Sequence, residues 1–435
     1  MQKLHFQYVS TDALTVNLRN ARTHDRKQIQ QIAASIREFG FTNPILVDTD
    51  GVLIAGHGRL EAARFLNLET VPVIRVAHLP EPARRALMLA DNKIALNAGW
   101  NMDLLAAELT DLGDLELGFD IEVTGFEAAE IDIILDAARN DGEDSETAAE
   151  PESGTPTTAP GDLWQLGPHR VLCGDARSCE DVLRLMGDER ADAGFTDPPY
   201  NVRIHGHVGG KGKTRHREFE VASGEMTSDE FAVFLQATLG FGSEFSKAGS
   251  VWFVCMDWRH LPEMLTAGRS VFETQLNLCV WAKTNGGMGS LYRSQHELVL
   301  VYRAGKGRHR NNVSLGRYGR NRTNIWRYPG VNTFRKGRMD ELRAHPTAKP
   351  VAMVRDALLD VTKRGDLVLD PFMGAGATLM AAEASGRRAF GLEIDPAYVD
   401  VILRRWRDAT GEEPVRLSDG RFLSEIEDDR GEGEA

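Results

Sequence analysis

The sequence predicts an α/β protein in two parts: a mostly parallel, doubly wound sheet with helices on both faces, preceded by a smaller α+β domain. Three observations predict it. Beyond residue 161, short apolar runs alternate with helical stretches, the pattern of strands joined by crossover helices. A glycine-rich turn, Phe372-Met373-Gly374-Ala375-Gly376, sits between the apolar run Leu367-Val368-Leu369 and a helical stretch from Leu379 to Ser385. Residues 137–160 are rich in Asp, Glu, Ser, Thr and Pro, with almost nothing to bury, as in a linker. A chain of 435 residues suits two or three domains. The expected division is 1–136, a domain with a helical extension; 137–160, an acidic linker; 161–420, the sheet domain; and 421–435, an acidic tail.

Each element has a local reason. From Gln28 to Phe39, Ile29, Ile32, Ala33, Ile36 and Phe39 recur at helical spacing, and Gly40 stops the helix. Pro44 to Asp48 and Val52 to Ala55 flank Asp50-Gly51, a hairpin signal. A helix over 60–66, a strand over 71–74, and helices over 81–96, 103–112 and 127–138 follow. In the larger part the strand candidates are 170–172, 193–196, 250–255, 298–302, 367–369 and 389–392.

Composition bounds the class. The chain is 42% hydrophobic and 26% charged, enough for real cores. It has no run of eighteen apolar residues and no signal-like start, so the expected place is cytoplasmic with no membrane partner. Four cysteines, at 173, 179, 255 and 279, lack metal or disulfide spacing, so no metal is expected. The net charge of −13 argues against nucleic acid, but the charges are segregated. Five carboxylates lie between Gly142 and Glu152, whereas 303–343 is strongly basic, with Arg308, Arg310, Arg317, Arg320, Arg322 and Arg327 among aromatic residues. Such a stretch is either a solvated face or a phosphate-binding surface.

Two motifs carry chemistry. Thr196-Asp197-Pro198-Pro199-Tyr200-Asn201 follows a short strand. Its paired prolines remove two amide donors, leaving carbonyls beside an acidic acceptor, which suits a nitrogen that must donate two hydrogen bonds. Tyr200 offers a flat stacking surface; alone, the motif is equally a rigid turn. Asp370 opens the second motif and Thr378 closes it, with Gly374 and Gly376 allowing a ligand close to the backbone. Glu393 ends a strand about twenty residues on, where nucleotide-binding sheets place a ribose-binding carboxylate. The third glycine of a dinucleotide fingerprint is missing, against an oxidoreductase.

With these residues, the region 161–418 resembles β-class amino-methylating DNA methyltransferases. Leu172-Cys173-Gly174-Asp175 and His345-Pro346-Thr347-Ala348-Lys349-Pro350 match two further segments, while Ala375 and Ala377 replace the usual serine and threonine. The resemblance implies a Rossmann-like fold that binds S-adenosylmethionine through Asp175, Lys349, Asp370, Phe372, Gly374, Gly376, Thr378 and Glu393. Asp197, Pro198, Pro199 and Tyr200 then act on an extruded base of double-stranded DNA. Asp197 at the first motif position favours N6 of adenine over N4 of cytosine. Methylation at cytosine carbon needs a cysteine after proline, and Leu172, Ser178, Val254 and Leu278 precede the four cysteines. DNA reading is expected from 203–217 and 303–343, and a homodimer is carried as an expectation. A catalytically inactive DNA-binding protein and an RNA methyltransferase are the rival readings.

The N-terminal part resembles ParB-like domains over 7–77, most clearly at Ile54 to Ala63. In those relatives the turn matching Gly56-His57-Gly58-Arg59 binds nucleotide phosphate, as a helix N-terminus with an arginine can; it is equally a packing turn.

Overall fold

The computed structural model describes residues 5–115, 118–138, 151, 155–202, 224–284, 286, 291–316, 320–329 and 349–433. The chain divides into two compact units, Met1–Asn140 and Asp141–Ala435. The loop 203–217, Arg317, His345 to Ala348, most of 137–160 and the end of the basic stretch lie outside the described residues.

The first unit carries β1 (Phe6–Ser10), α1 (Arg26–Phe39), β2 (Ile45–Val47), β3 (Leu53–Ala55), α2 (His57–Phe65), β4 (Thr70–Arg75), α3 (Glu81–Ala95), α4 (Met102–Asp114) and α5 (Ala128–Ala138). Asp25 caps α1 by accepting from the Gln28 amide, and Gly40 ends it at φ 78°. The sheet order is β1-β4-β2-β3, with β2 and β3 forming the expected hairpin. Ile45, Val47, Leu53, Leu60, Val71 and Val73 close one small core. Leu105, Leu109, Ile131 and Ile134 join α4 to α5 in another. β1 was not foreseen: an edge strand with mostly exposed side chains has no buried face to reveal it.

The second unit contains β5 (Leu163–Leu166), β6 (His169–Cys173), α6 (Cys179–Met186), β7 (Ala191–Thr196), α7 (Ser228–Glu244), β8 (Ser246–Met256), α8 (Leu261–Val271), β9 (Thr274–Ala282), β10 (His296–Arg303), β11 (Ile325–Arg327), α9 (Val351–Val361), β12 (Leu367–Asp370), α10 (Ala377–Ala384), β13 (Arg388–Glu393), α11 (Pro396–Thr410), β14 (Val415–Arg416) and α12 (Leu423–Gly433). Among the described residues its sheet runs β11-β9-β10-β8-β7-β12-β13-β6-β5-β14. The centre, β8-β7-β12-β13-β6, is parallel; β10 pairs antiparallel with both β8 and β9. Helices on both faces cover two cores, one around Phe195, Val354, Leu379 and Trp406, the other around Leu172, Leu235, Trp252 and Leu369.

The order reverses between β7 and β12. From β7 the chain moves outward to β8, and from β12 it moves the other way to β13, so a crevice opens at their carboxyl ends. Gly194 in β7 helps fix that junction: a Cβ there would lie 2.3 Å from the Trp252 ring, which fills its face.

Two expectations change. The described part of the expected acidic tail, 421–433, packs on the fold, because α12 buries Leu423 and Ile426 while Glu427 pairs with Arg404 and Arg407. The last linker residues also belong to the fold: the amides of Thr157 and Thr158 donate to the Asp400 carboxylate at 2.6 and 2.9 Å. Among the described residues no helix is long and apolar enough to cross a membrane, and no cluster of His, Cys, Asp and Glu could hold a metal ion.

Candidate active site

The switch point gathers residues far apart in sequence. Asp197 follows β7 directly, on a strand end where Thr196 and Pro198 are buried. Asn201, at φ 51°, closes the motif: its side chain accepts from the Gly224 and Met226 amides and donates to the Met226 carbonyl at 2.8 Å. Because β10 and β9 run antiparallel to each other, the start of β10 and the end of β9 meet at this same edge. They deliver Glu297 and Lys283 to the edge where Asp197 leaves β7, across the intervening β8.

These side chains form one network. The Lys349 ammonium, 152 residues from Asp197 in sequence, pairs with Asp197 Oδ2 and lies 3.1 Å from Glu297 Oε2. Lys283 pairs with Glu297 Oε1. The Tyr200 hydroxyl reaches Asp197 Oδ1 at 2.5 Å and Glu297 Oε2 at 3.1 Å, and Lys349 lies 5.4 Å from the Tyr200 ring centre. Asp197 is the more open of the two carboxylates, with a side chain 23% exposed against 14% for Glu297, while the Lys349 between them is 5% exposed. Each Asp197 oxygen therefore spends one lone pair on the protein and keeps another for a ligand donor.

Burial, helped by the charge on Glu297, pushes the Asp197 carboxyl above its ordinary value against the pull of Lys349. Burial would do the same to Glu297, but the two ammoniums, Lys349 and Lys283, outweigh it and hold Glu297 down at about 2. Lys349 is buried, yet its two carboxylate partners keep it charged. Burial also raises the nearby Cys255 thiol far above its ordinary value.

The second motif lies one strand over. Asp370 accepts from the Phe372 amide at 3.0 Å and the Thr378 hydroxyl at 2.6 Å, tying the two ends of the glycine turn together. Gly374 and Gly376 take left-handed backbone, at φ 54° and 83°, and a Cβ on Gly374 would meet nothing within 4 Å. Glu393, from the end of β13, accepts the Gly374 amide at 2.8 Å and the Asp395 amide at 2.9 Å. Burial raises Glu393 to about 7 and Asp370 to about 6. At the end of β6, the Asp175 amide donates to Asp181, while Arg177 grips the Asp175 carboxylate with a fork at 2.6–3.0 Å. Four adjacent parallel strands thus present Asp197, Asp370, Glu393 and Asp175 along one edge.

Several residues sit differently from expectation. Lys349, expected beside the cofactor, reaches Asp197 and Glu297 because Pro350 starts α9 under the Asp197 motif. Asp370 and Thr378 are almost fully buried against each other, so they shape the turn from below. Arg320 and Arg322, expected on DNA, turn inward: Arg320 pairs with Asp360 at 2.9 Å, and Arg322 with Asp360 at 3.0 Å and Asp356 at 3.2 Å. Arg322 also donates to the Tyr328 hydroxyl, so these two guanidiniums are committed to holding this segment on α9. Arg308 and Arg327 are exposed, and Arg310 is half-buried.

In the first unit, Gly56 at φ 97° precedes α2, and Arg59 donates to the carbonyls of Asn43 and Pro44 at 2.6 and 3.0 Å. His57 is buried, and burial next to His24 lowers its proton affinity; a Cβ on Gly58 would press on His24 at 3.0 Å.

Glu297 and Lys283 were missed from sequence. The available signal was Glu297 itself, an acid heading the otherwise apolar strand Leu298 to Tyr302.

A DNA methylase family model matches residues 191–404, a ParB N-terminal domain model 1–93, and a ParB-methyltransferase HTH domain model 103–160. Over 84 residues the chain is 42% identical to the ParB-like nuclease domain-containing protein YnaK of Escherichia coli K12, covering 19% of this chain and 97% of that one. It is 26% identical over 260 residues to the DNA adenine methyltransferase YhdJ of the same strain, covering 54% of this chain and 81% of that one. Among solved structures, PvuII DNA methyltransferase (cytosine-N4-specific) covers 59% of this chain and 94% of its own at 14% identity, with a TM-score of 0.39.

Proposed function

Because the chain belongs to the N6/N4 DNA methylase family, with a ParB N-terminal domain in front, we propose that it methylates the exocyclic N6 amine of adenine in double-stranded DNA. The observation that carries this reading is the juxtaposition of Asp197-Pro198-Pro199-Tyr200 and the Gly374–Gly376 turn on neighbouring strands at the switch point. S-adenosylmethionine supplies a sulfonium-activated methyl group. The chain suits it: open space lies above Gly374, and the Glu393 oxygens keep lone pairs free for ribose hydroxyls beyond their two amide bonds.

The protein's own task is then placement and charge. Asp197 Oδ and the Pro198 carbonyl accept the two amine hydrogens and turn the nitrogen lone pair towards the cofactor. Tyr200, held by its hydroxyl, stacks on the extruded base; stacking returns about 1–3 kcal/mol against the few that extrusion costs. Lys349 keeps Asp197 an acceptor, despite the burial that favours its protonated form. Adenine over cytosine N4 rests on the aspartate at the first motif position and on the likeness to an adenine methyltransferase.

The exposed Arg308 and Arg327, with Arg310 and Arg317, are proposed phosphate or base contacts. Gly56 to Arg59 is proposed as a nucleotide-phosphate turn, using the free amides of α2 and the remaining guanidinium donors of Arg59. Radiolabelled methyl transfer to unmethylated DNA, followed by nucleoside analysis, tests the main reading. Wild type should yield N6-methyladenine and Asp197→Ala essentially none; N4-methylcytosine would establish the runner-up, and equal background in both proteins would refute methyl transfer.

A further inference from the structure

Asp197 and Glu297 are two carboxylates around one buried ammonium, and the network treats them unequally. Among the described residues Glu297 touches two cations, Lys349 and Lys283, whereas Asp197 touches one, Lys349, and is the more exposed side chain. The Tyr200 hydroxyl lies between them with a single proton to give. Around the pair stand the Cys255 thiol and Asp370, neither of which brings positive charge.

Where two acids share a site, the one with fewer counter-charges takes the proton. On the methyl-transfer reading above, we propose that Glu297 is a positioning residue that makes Asp197 the proton acceptor for the target amine, by sharing the Lys349 ammonium and placing its own negative charge beside Asp197. In that step the amine nitrogen bonds to the methyl carbon of the sulfonium donor. The carbon–sulfur bond breaks with its electron pair staying on sulfur as a neutral thioether, and one N–H proton passes to Asp197 and then to water. Glu297 never meets the base. It acts through the share of Lys349 it leaves to Asp197, in keeping with the upward push on Asp197 and the downward pull on Glu297.

Opposite substitutions test this. Glu297→Gln removes the competing charge, so Lys349 serves Asp197 alone. The acid limb of the single-turnover pH–rate profile should move down by about one pH unit. The plateau rate should fall by up to about tenfold as Asp197 loses basicity. Lys283→Met strengthens the hold of Glu297 on Lys349 and should move the limb up. Glu297→Asp should restore the wild-type direction.

A second readout needs no cofactor: infrared titration of the full-length protein alone, with the Asp197 carboxyl band assigned by its loss in Asp197→Asn. Its midpoint should fall in Glu297→Gln and rise in Lys283→Met. Shifts in the same direction, or loss of rate with both midpoint and limb unmoved, would overturn the proposal and leave Glu297 a scaffold. Should Glu297→Gln not fold, Lys283→Met decides alone: a rise in the Asp197 midpoint and acid limb supports the proposal, and an unmoved or lowered midpoint overturns it. Failure of wild type to methylate any DNA amine would instead sink the functional reading, while the titration would still report the charge sharing.

Discussion

Replacing Lys349 with Met removes the cation that, among the described residues, Asp197 and Glu297 share, while keeping the bulk of the side chain. Its side chain is 5% exposed and its ammonium contacts both carboxylates, so its loss leaves two acids close together with Lys283 as their one cationic partner among the described residues. Removing one partner of a buried pair costs about 3–5 kcal/mol when the survivor stays charged. The acids can escape that cost by taking up a proton, so the penalty depends on pH. In wild type Glu297 is depressed from 4.5 to about 2, so its contribution is present in full at pH 5–8 and is lost progressively as pH falls from about 4.5 through about 2. In the variant both carboxyls move up, so stability is kept at low pH and lost as pH rises through their new values. The difference between the proteins should therefore be small near pH 4 and approach about 3–5 kcal/mol at pH 8. Urea unfolding followed by tryptophan fluorescence reports it, since Trp164, Trp252, Trp258, Trp281, Trp326 and Trp406 all lie in the second unit, with only Trp100 in the first. A midpoint shift of about 1 M or more at pH 8, shrinking towards pH 4, is expected. A penalty under about 1 kcal/mol, or one independent of pH, would refute the reasoning.

Glu393 has the opposite pH signature. Its folded value of about 7 stands above the ordinary 4.5, so the native state loses stability as pH rises from 4.5 through 7, by an amount on the order of 3 kcal/mol, and Glu393→Gln should flatten that slope in parallel melts. Gly194→Ala places a methyl 2.3 Å from the Trp252 ring and should cost about 1–3 kcal/mol; an unchanged melting temperature would mean that β7 and β8 separate freely. Buried His169 accepts the Ala389 amide at 2.9 Å and reaches Glu383 at 2.8 Å, so His169→Leu should cost about 1–3 kcal/mol in denaturant, chiefly by orphaning that amide.

What was legible in sequence was whatever repeats locally. The period of α1, the Asp50-Gly51 hairpin, the apolar runs of β7, β10, β12 and β13, and the two motifs with their order all rest on neighbouring residues. Edge strands such as β1 and β14 escaped because a strand with little to bury leaves no periodic trace. The signs of charges were legible too, but not their partners. Arg320 and Arg322 read as phosphate binders until α9 placed Asp356 and Asp360 against them.

The sequence by itself determined that this chain carries an acid–proline–proline–tyrosine turn, a glycine turn and a spaced acid, each at a strand end. The tertiary structure alone decided that β7 and β12 are neighbours, that β10 runs backwards to bring Glu297 to the same edge, and that Lys349 serves Asp197. The reason is physical. Local spacing sets which face a side chain occupies, whereas strand order and direction across 152 residues of intervening chain are set by packing the two cores.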